Sequence, residues 1–232
     1  DVWERIEQHI ADEGNGYIVT PNVDHVCLFH RSEEFRNAYA EAIMALPDGM
    51  PIVWASWLLR RPGLRKLSGS DMMPYICAAA ARHNRSIFLL GGAPGSAEKA
   101  ARWLEEHCPG LRIAGTSCPR YGFEKEPEAL QRVIDEVRAA RPDICFVALG
   151  SPKQEMWMHR YHREYGAPVS MGVGATFDFL AGRIKRAPVW VQNIGLEWLW
   201  RLAQEPRRLW RRYLIEDLLF FRLLWREFRQ HT

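Results

Sequence analysis

The stretch Ser86-Ile-Phe-Leu-Leu-Gly-Gly-Ala-Pro-Gly-Ser96 joins an uninterrupted apolar run to a glycine-rich turn, and a helical pattern follows at 96–107. An apolar run without polar alternation is typical of a parallel strand that is buried on both faces. Glycines before a helix let a ligand approach the backbone, and a helix N-terminus favours an anion. This unit therefore predicts an α/β fold with a binding site at the turn.

The same order of strand, turn and helix recurs along the chain. We predict further strands at 17–21, 111–115, 144–149 and 169–173, and helices at 32–45, 71–83, 127–140 and 152–164. Regular alternation of this kind indicates a Rossmann-like domain, with a mostly parallel sheet and helices on both faces. We assign this catalytic domain to residues 1–194. The pattern does not determine the strand order.

Residues 195–232 differ from the rest of the chain in charge. The protein has 31 basic and 28 acidic residues, and this segment, with eight arginines and five acidic residues, accounts for the whole excess. Between 207 and 229, Leu, Trp and Phe recur at helical spacing among the arginines. Such a helix suits an anionic membrane surface, although packing on the body or on another subunit is the commoner role. We predict an amphipathic helical appendage that does not span a bilayer, and its pattern leaves both the membrane-associating and the packing role open.

The composition and the cysteines indicate the setting. The chain is 47% hydrophobic and 25% charged, which excludes a disordered or polytopic membrane protein. Its five cysteines are widely spaced and form no C-x-x-C, which favours reduced thiols over disulfides or a cysteine metal site. No apolar signal segment opens the sequence. We therefore expect a cytoplasmic protein.

Two glycine turns are candidate phosphate-binding sites. Gly91 and Gly92 follow the first strand quoted, but a tight turn with a helix cap explains them equally well. In Gly150-Ser-Pro-Lys-Gln-Glu155, the serine, proline and glutamine fit a capping box, which is a sufficient structural reason for all three. Ser151, Lys153 and Gln154 would nevertheless lie at the carboxyl end of a strand. Both turns are therefore open to a structural and a functional interpretation.

A third turn, Gly172-Val-Gly-Ala-Thr-Phe-Asp178, is followed closely by cations. Two glycines, Thr176 and Asp178 close a strand, and Arg183, Lys185 and Arg186 come shortly afterwards. The combination is suited to a diphosphate or a sugar. A glycine-rich turn into an apolar helix would explain the glycines but not the cations.

A fourth group of polar residues lies nearer the N-terminus. Thr20 and Asn22 end the first predicted strand, and Asp48 precedes Gly49 in a later turn. An Asp before a Gly is usually only a turn residue. A second Asp-bearing turn, at Asp71, makes a functional role for the group more plausible.

Taken together and in order, these stretches resemble the WecG/TagA/CpsF glycosyltransferases, also called glycosyltransferase family 26, from about residue 17 to residue 212. The matching segments are Thr20-Pro-Asn22, Asp48-Gly-Met-Pro51, Gly69-Ser-Asp71, Leu90-Gly-Gly92, Gly150-Ser-Pro-Lys-Gln-Glu155, Gly172-Val-Gly-Ala-Thr-Phe-Asp178, Ala187-Pro188, Gly195-Leu-Glu-Trp198 and Glu205-Pro-Arg207.

The resemblance implies an inverting, metal-independent transfer of a sugar from a UDP-sugar to a polyprenyl-diphosphate-linked sugar, peripheral to the inner face of the cell membrane. The products would be teichoic acid, exopolysaccharide or enterobacterial common antigen-type glycans. The donor would carry N-acetylmannosamine, its uronic acid or another hexose such as glucose. By resemblance, Asp48 is the general base, and Thr20, Asn22 and Gln154 are polar site residues. No cofactor is implied.

Without a metal, backbone amides and cations must neutralise the diphosphate. The candidate substrate-binding residues are Gly49, Arg65, Asp71, Gly91, Gly92, Gly150, Ser151, Lys153, Gly172, Gly174, Thr176, Asp178, Arg207 and Arg211. Arg208 and Arg212 are alternatives in the appendage. The sequence has no Asp-x-Asp, and His159 and His162 lack an acidic partner at ligand spacing, so we expect them to be exposed helix residues.

Two other classes of function compete with this one. A nicotinamide-dependent oxidoreductase would suit the α/β alternation, but the G-x-G-x-x-G fingerprint is absent. A nucleic-acid-binding module would suit the Arg- and Trp-rich end, but its acidic residues fit poorly with a broad basic footprint. We therefore expect no nucleic-acid partner. A homo-oligomer is compatible with the sequence, and the sequence does not identify the donor sugar.

Overall fold

The computed structural model describes residues 1–230, and within them it has one six-stranded sheet. The strands are β1 Gly16–Val19, β2 Met44–Ala45, β3 Ser86–Gly91, β4 Arg112–Ser117, β5 Ile144–Ala148 and β6 Val169–Gly172. Their order across the sheet is β2-β1-β6-β5-β3-β4, and every pair is parallel. The Rossmann-like α/β class predicted from the sequence is confirmed.

Helices connect these strands and continue beyond them. They are α1 Val2–Ala11, α2 Val23–Arg31, α3 Glu33–Ala40, α4 Met50–Leu58, α5 Gly69–Arg82, α6 Ser96–His107, α7 Pro127–Ala140, α8 Lys153–Tyr165, α9 Thr176–Leu180, α10 Val189–Asn193, α11 Glu197–Gln204, α12 Pro206–Arg211 and α13 Leu218–Gln230. A short 3₁₀ turn covers Phe123–Lys125, and a π-helical turn covers Arg212–Glu216.

Both faces of the sheet are covered, which explains the apolar runs. In β3, Ile87 and Leu89 join the core under α1, α5, α6 and α9. Phe88 and Leu90 join the opposite core under α7 and α8. A strand buried on both sides favours apolar residues at nearly every position, so its sequence is a mostly apolar run.

The connections diverge between β3 and β5, which are neighbours in the sheet. The chain leaves β3 through α6 to the edge strand β4, and leaves β5 through α8 towards β6 on the other side. Such a switch opens a crevice at the carboxyl ends of the two strands. The turn of Gly91 and Gly92 and the turn of Gly150 lie at this crevice.

Local departures from the expected elements have identifiable causes. The helix expected at 32–45 is α3, which ends at Ala40, and the two residues of β2 follow because β1 offers them a parallel partner. The capping box expected at Ser151 is wrong: α8 starts after Pro152 without a side-chain cap, since Gln154 bonds elsewhere. His162 is buried rather than exposed, with Nδ1 2.9 Å from the Met158 carbonyl oxygen.

The C-terminal segment is a series of short helices, not the single helix that the sequence suggested. Pro206 starts α12, where its fixed backbone suits a first helical turn. The segment returns to the body: α13 packs against α2, and the guanidinium of Arg212 lies 2.9 Å from the carboxylate of Asp24. Among residues 1–230, no helix combines the length and the hydropathy that a transmembrane span requires.

Candidate active site

Asp48 lies in the turn between β2 and α4, at the carboxyl edge of the sheet. Its backbone N–H donates to the carbonyl of Pro21, after β1, at 2.7 Å. The N–H of Leu67 donates to the carbonyl of Pro47, also at 2.7 Å. Two loops from other parts of the chain therefore clamp the backbone on either side of this carboxylate.

The side chain of Asp48 is half-buried, and no donor among residues 1–230 bonds to its carboxylate. Burial raises the pKa of this carboxyl to about 6, with a further increase from Glu197 and opposing effects of the cations Arg201, Lys66 and Arg186. A carboxylate with such a pKa is ionised at neutral pH and still accepts a proton readily. It has the properties of a general base.

The cations near Asp48 form a cluster with acidic partners. Arg186 lies 2.7 Å from Asp71 and 3.6 Å from Glu197, measured from nitrogen to carboxylate oxygen. The ammonium of Lys66 lies 3.9 Å from each of the same two acids. These ion pairs hold both cations in place near Asp48, where either could exchange a carboxylate partner for the phosphate oxygens of a diphosphate.

The sequence predicted Arg65 as a site residue but not the neighbouring Lys66, nor Glu197 or Arg201. Arg65 is exposed and forms no ion pair within the described chain. One signal was present: Glu197 and Arg201 are spaced i and i+4, so they share one face of α11. That spacing did not reveal that the face turns towards Asp48.

A second group of predicted residues forms a buried amide network. The Oε1 of Gln154 accepts from the N–H of Gly174 at 3.1 Å, and its Nε2 donates to Glu155 at 2.7 Å. The hydroxyl of Thr20 donates to the carbonyl of Gly172 at 3.4 Å. A Cβ on Gly172 would stand 2.7 Å from the Gln154 nitrogen. These contacts hold the turn after β6 against the end of β1.

Asn22 has a structural role that the structure makes visible. Its side chain accepts from the N–H of His25 at 3.1 Å and so caps α2. His25 is buried beside Glu155, with 3.8 Å between ring nitrogen and carboxylate oxygen. Burial raises the pKa of Glu155 to about 7 and lowers that of His25 to about 3. This buried pair was not anticipated from the sequence.

The crevice between β3 and β5 has an exposed ring at its rim. Tyr121, in the loop after β4, is 91% exposed. The ammonium of Lys153 lies 3.6 Å from the centre of the ring and 2.9 Å from the carboxylate of Glu124. Ser151 lies beside the carboxyl of Asp24 on α2. The structure thus places a solvated aromatic face and a fixed cation next to the Gly150 turn.

Of the remaining predicted residues, two contact neighbouring helices within the body and two are exposed on the C-terminal segment. Asp178 accepts from the hydroxyl of Ser96, at the start of α6, at 2.6 Å, and Thr176 is buried with its hydroxyl 3.1 Å from that of Ser70. Arg207 and Arg211 are exposed on α12, and the guanidinium of Arg211 lies 3.4 Å from the carboxylate of Glu216. Gly49 is the N-cap residue of α4 and has a φ of 98°, a conformation that favours glycine.

No three His, Cys, Asp or Glu side chains within residues 1–230 are grouped so as to hold a metal ion. The cations and backbone amides described above are suited to bind phosphate groups at this edge of the sheet. One carboxylate suited to accept a proton and a nearby cationic cluster are suited to group transfer from a diphosphate donor.

Comparison with known proteins also indicates a group-transfer enzyme. The whole chain, residues 1–232, matches the family model described as "Glycosyl transferase WecG/TagA/CpsF family". The chain belongs to this family of glycosyltransferases, as the ordered motifs suggested.

Three relatives carry the name N-acetylglucosaminyldiphosphoundecaprenol N-acetyl-beta-D-mannosaminyltransferase. The protein from Bacillus spizizenii is 31% identical over 90% of this chain and 79% of its own length. The one from Bacillus subtilis is 30% identical over the same shares, and the one from Staphylococcus aureus is 28% identical over 90% and 80%.

Proposed function

We propose that the protein is an inverting, metal-independent glycosyltransferase that uses Asp48 as its general base. It would transfer an N-acetylmannosamine-type sugar from a UDP-sugar to a polyprenyl-diphosphate-linked sugar, in the synthesis of a cell-surface polymer. The observation that carries the proposal is the unbonded carboxylate of Asp48 among three cations at the carboxyl edge of the sheet. The names of the relatives support the acceptor and the sugar.

The transfer requires one proton acceptor and one displaced diphosphate. Asp48 takes the proton from the acceptor hydroxyl as its oxygen attacks the anomeric carbon of the donor. The bond from that carbon to the diphosphate oxygen breaks on the opposite side, and the electron pair leaves with UDP. A single displacement inverts the anomeric configuration, and one carboxylate is sufficient for it.

Charge on the leaving diphosphate grows during this step, so cations near the reacting carbon stabilise the transition state. The cations whose charge lowers the pKa of Asp48 are Arg201, Lys66 and Arg186. Removing the charge of Lys66 by substitution with Met should lower kcat more than it raises KM, because the added charge appears only in the transition state.

The crevice between β3 and β5 suits the nucleotide. Backbone N–H groups of its two glycine turns can meet phosphate oxygens, and the exposed ring of Tyr121 offers a face on which a base can stack. Lys153 is held over that ring and adds positive charge at the same rim.

The lipid-linked acceptor requires an approach to a membrane. The C-terminal segment exposes Trp210, Leu214, Ile215, Leu218, Phe221 and Trp225. Arg222, Arg226 and Arg229 lie between or beside these residues in the sequence. We propose that this segment associates with the anionic inner face of the cell membrane. Truncation before Arg207 should reduce liposome binding; unchanged binding would refute the association.

The direct test is a transfer assay with a panel of UDP-sugars and a short-chain polyprenyl-diphosphate N-acetylglucosamine acceptor. Product should form in EDTA, with an anomeric configuration opposite to that of the donor. Loss of activity in EDTA that Mn²⁺ restores would refute metal independence, and retained configuration would refute the single displacement.

A further inference from the structure

Helix α4 begins directly after Asp48 and Gly49 and carries an apolar face towards solvent. Val53 and Ser56 are buried against the body. Trp54, Trp57 and Leu58, spaced i, i+3 and i+4, are between 42% and 55% exposed. This spacing places all three on one face of the helix. Large side chains exposed together in this way mark an interaction surface.

A second exposed apolar group adjoins the first. In α10, Val189 and Trp190 are 69% and 66% exposed, and Ile194 follows at the end of the helix. The next residue, Gly195, touches α4 so closely that a Cβ there would lie 2.4 Å from the Trp54 ring. The two groups therefore form one surface. We call it the tryptophan face, defined as Trp54, Trp57, Leu58, Val189, Trp190 and Ile194.

The border of this face is basic. Arg60, Arg61 and Arg65 follow α4, all three are exposed, and none pairs with a carboxylate within residues 1–230. Residues 49–70 include no acidic residue. Tryptophan is favoured at the boundary between lipid headgroups and acyl chains, and arginine is favoured beside anionic headgroups. The charge and the apolar character of the surface thus complement an anionic lipid monolayer.

We propose that the tryptophan face inserts into an anionic phospholipid monolayer and holds the Asp48 turn at headgroup depth. This inference rests on the proposed function, since a lipid-linked acceptor presents its sugar at that depth. It adds an anchor next to the base, distinct from the C-terminal helices. Membrane contact through α4 would bring the acceptor hydroxyl to a carboxylate that lies two residues before the start of the anchoring helix.

The test compares vesicle binding by the full chain and a triple variant, Trp57→Gln, Leu58→Gln and Trp190→Gln. These side chains are about half exposed or more, so the fold should persist, and circular dichroism checks it. Tyr75→Gln, at an exposed aromatic residue outside the face, is the control. Co-sedimentation with phosphatidylglycerol–phosphatidylcholine vesicles should weaken about tenfold or more in the triple variant, since much apolar contact area is lost. The control should bind like wild type.

A second variant tests the basic border. Arg60→Gln with Arg61→Gln should weaken binding to the anionic vesicles by about tenfold, and added salt should reduce the difference. Binding to vesicles of phosphatidylcholine alone should not change. An equal loss on both kinds of vesicle would overturn the part assigned to these arginines.

Three results decide the proposal. Weaker vesicle binding, with unchanged kcat/KM on a water-soluble acceptor analogue, supports it. Unchanged vesicle binding overturns it. Sedimentation velocity gives the third result. If wild type is a dimer and the triple variant is a monomer that still binds vesicles, the tryptophan face contacts a second copy of the chain and the proposal is wrong. Because vesicle binding is measured without turnover, a protein that binds through this face but transfers no sugar refutes the proposed function and leaves this inference standing.

Discussion

Replacing Asp48 by asparagine should remove activity and at the same time stabilise the fold at neutral pH. Burial raises the pKa of the carboxyl from 3.8 to about 6, chiefly by desolvation. Because a tenfold change in proton affinity is worth about 1.4 kcal/mol, the ionised carboxylate costs the folded state about 1–3 kcal/mol, the lower figure allowing for its partial contact with water. Asparagine has nearly the same shape and carries no charge.

The sign of the pH dependence follows from the raised pKa. Below about pH 4 the carboxyl is protonated in both the folded and the unfolded state, so it contributes no difference. Between about pH 4 and pH 6 the unfolded chain releases the proton first, and the stability of the wild type falls. Above that window the loss is complete. The Asp48→Asn variant lacks this loss. Its free energy of unfolding should therefore equal that of wild type below about pH 4 and exceed it by about 1–3 kcal/mol above about pH 6.

Urea unfolding followed by tryptophan fluorescence, at pH 4 and at pH 7.5, measures this difference. The control is Asp143→Asn at the amino edge of the sheet. There burial alone would raise the pKa, but the N–H and hydroxyl of Ser86 and the guanidinium of Arg85 lower it overall. The control variant should therefore be less stable than wild type at pH 7.5, with a smaller difference at pH 4.

Turnover of Asp48→Asn on a UDP-sugar and a lipid acceptor should fall by about 10²–10⁴, the usual contribution of a general base. A variant that is inactive and also less stable than wild type at pH 7.5 would show that the carboxylate supports the fold. Near-normal turnover would remove Asp48 from the mechanism.

Three further predictions follow from the same geometry. In wild type, kcat/KM should rise with pH through an apparent pKa near 6, because Asp48 must be ionised to accept a proton; a profile that is flat from pH 5 to pH 8 would contradict this. Tyr121→Ala should raise KM for the donor about tenfold and Tyr121→Phe should not, since stacking needs the ring and not the hydroxyl; equal effects in initial-rate kinetics would argue against a stacked base. Gly91→Ala should lower the free energy of unfolding by more than about 2 kcal/mol, because its φ is 100° and the added Cβ would lie 2.7 Å from the Ala148 carbonyl oxygen. Gly150→Ala, whose added Cβ would meet open space, should lower it by about 1 kcal/mol. Similar losses for the two variants in chemical denaturation would refute the steric argument.

The strands that the sequence predicts well are those whose apolar character is independent of their partners. β3, β5 and β6 are buried on both faces, so each can be recognised in the sequence as a mostly apolar run without knowledge of its neighbours in the sheet. β2 has two residues and exists because β1 pairs with it, which no local pattern encodes. Gln154 shows the same limit: its spacing suits a helix cap, but a tertiary bond to Gly174 prevails.

The surroundings of Asp48 are the part least accessible from sequence. Lys66, Arg186 and Arg201 come from separate stretches of the chain, and folding brings them into the field of one carboxylate. The exposed face of α4 is not predictable from its apolar run, because exposure depends on what packs against the helix. Its tryptophans are solvent-facing only because the body covers Val53 and Ser56 and leaves the other side open.

The role of Asp48 as general base is tested most directly by the transfer reaction in EDTA, with UDP-N-acetylmannosamine and a short-chain polyprenyl-diphosphate N-acetylglucosamine, run with wild type and with Asp48→Asn. Wild type should form a disaccharide-lipid product of inverted anomeric configuration, and the variant should form it at no more than about one hundredth of the wild-type rate. Equal rates from the two proteins, or no product from wild type, would show that Asp48 is not the base of this reaction.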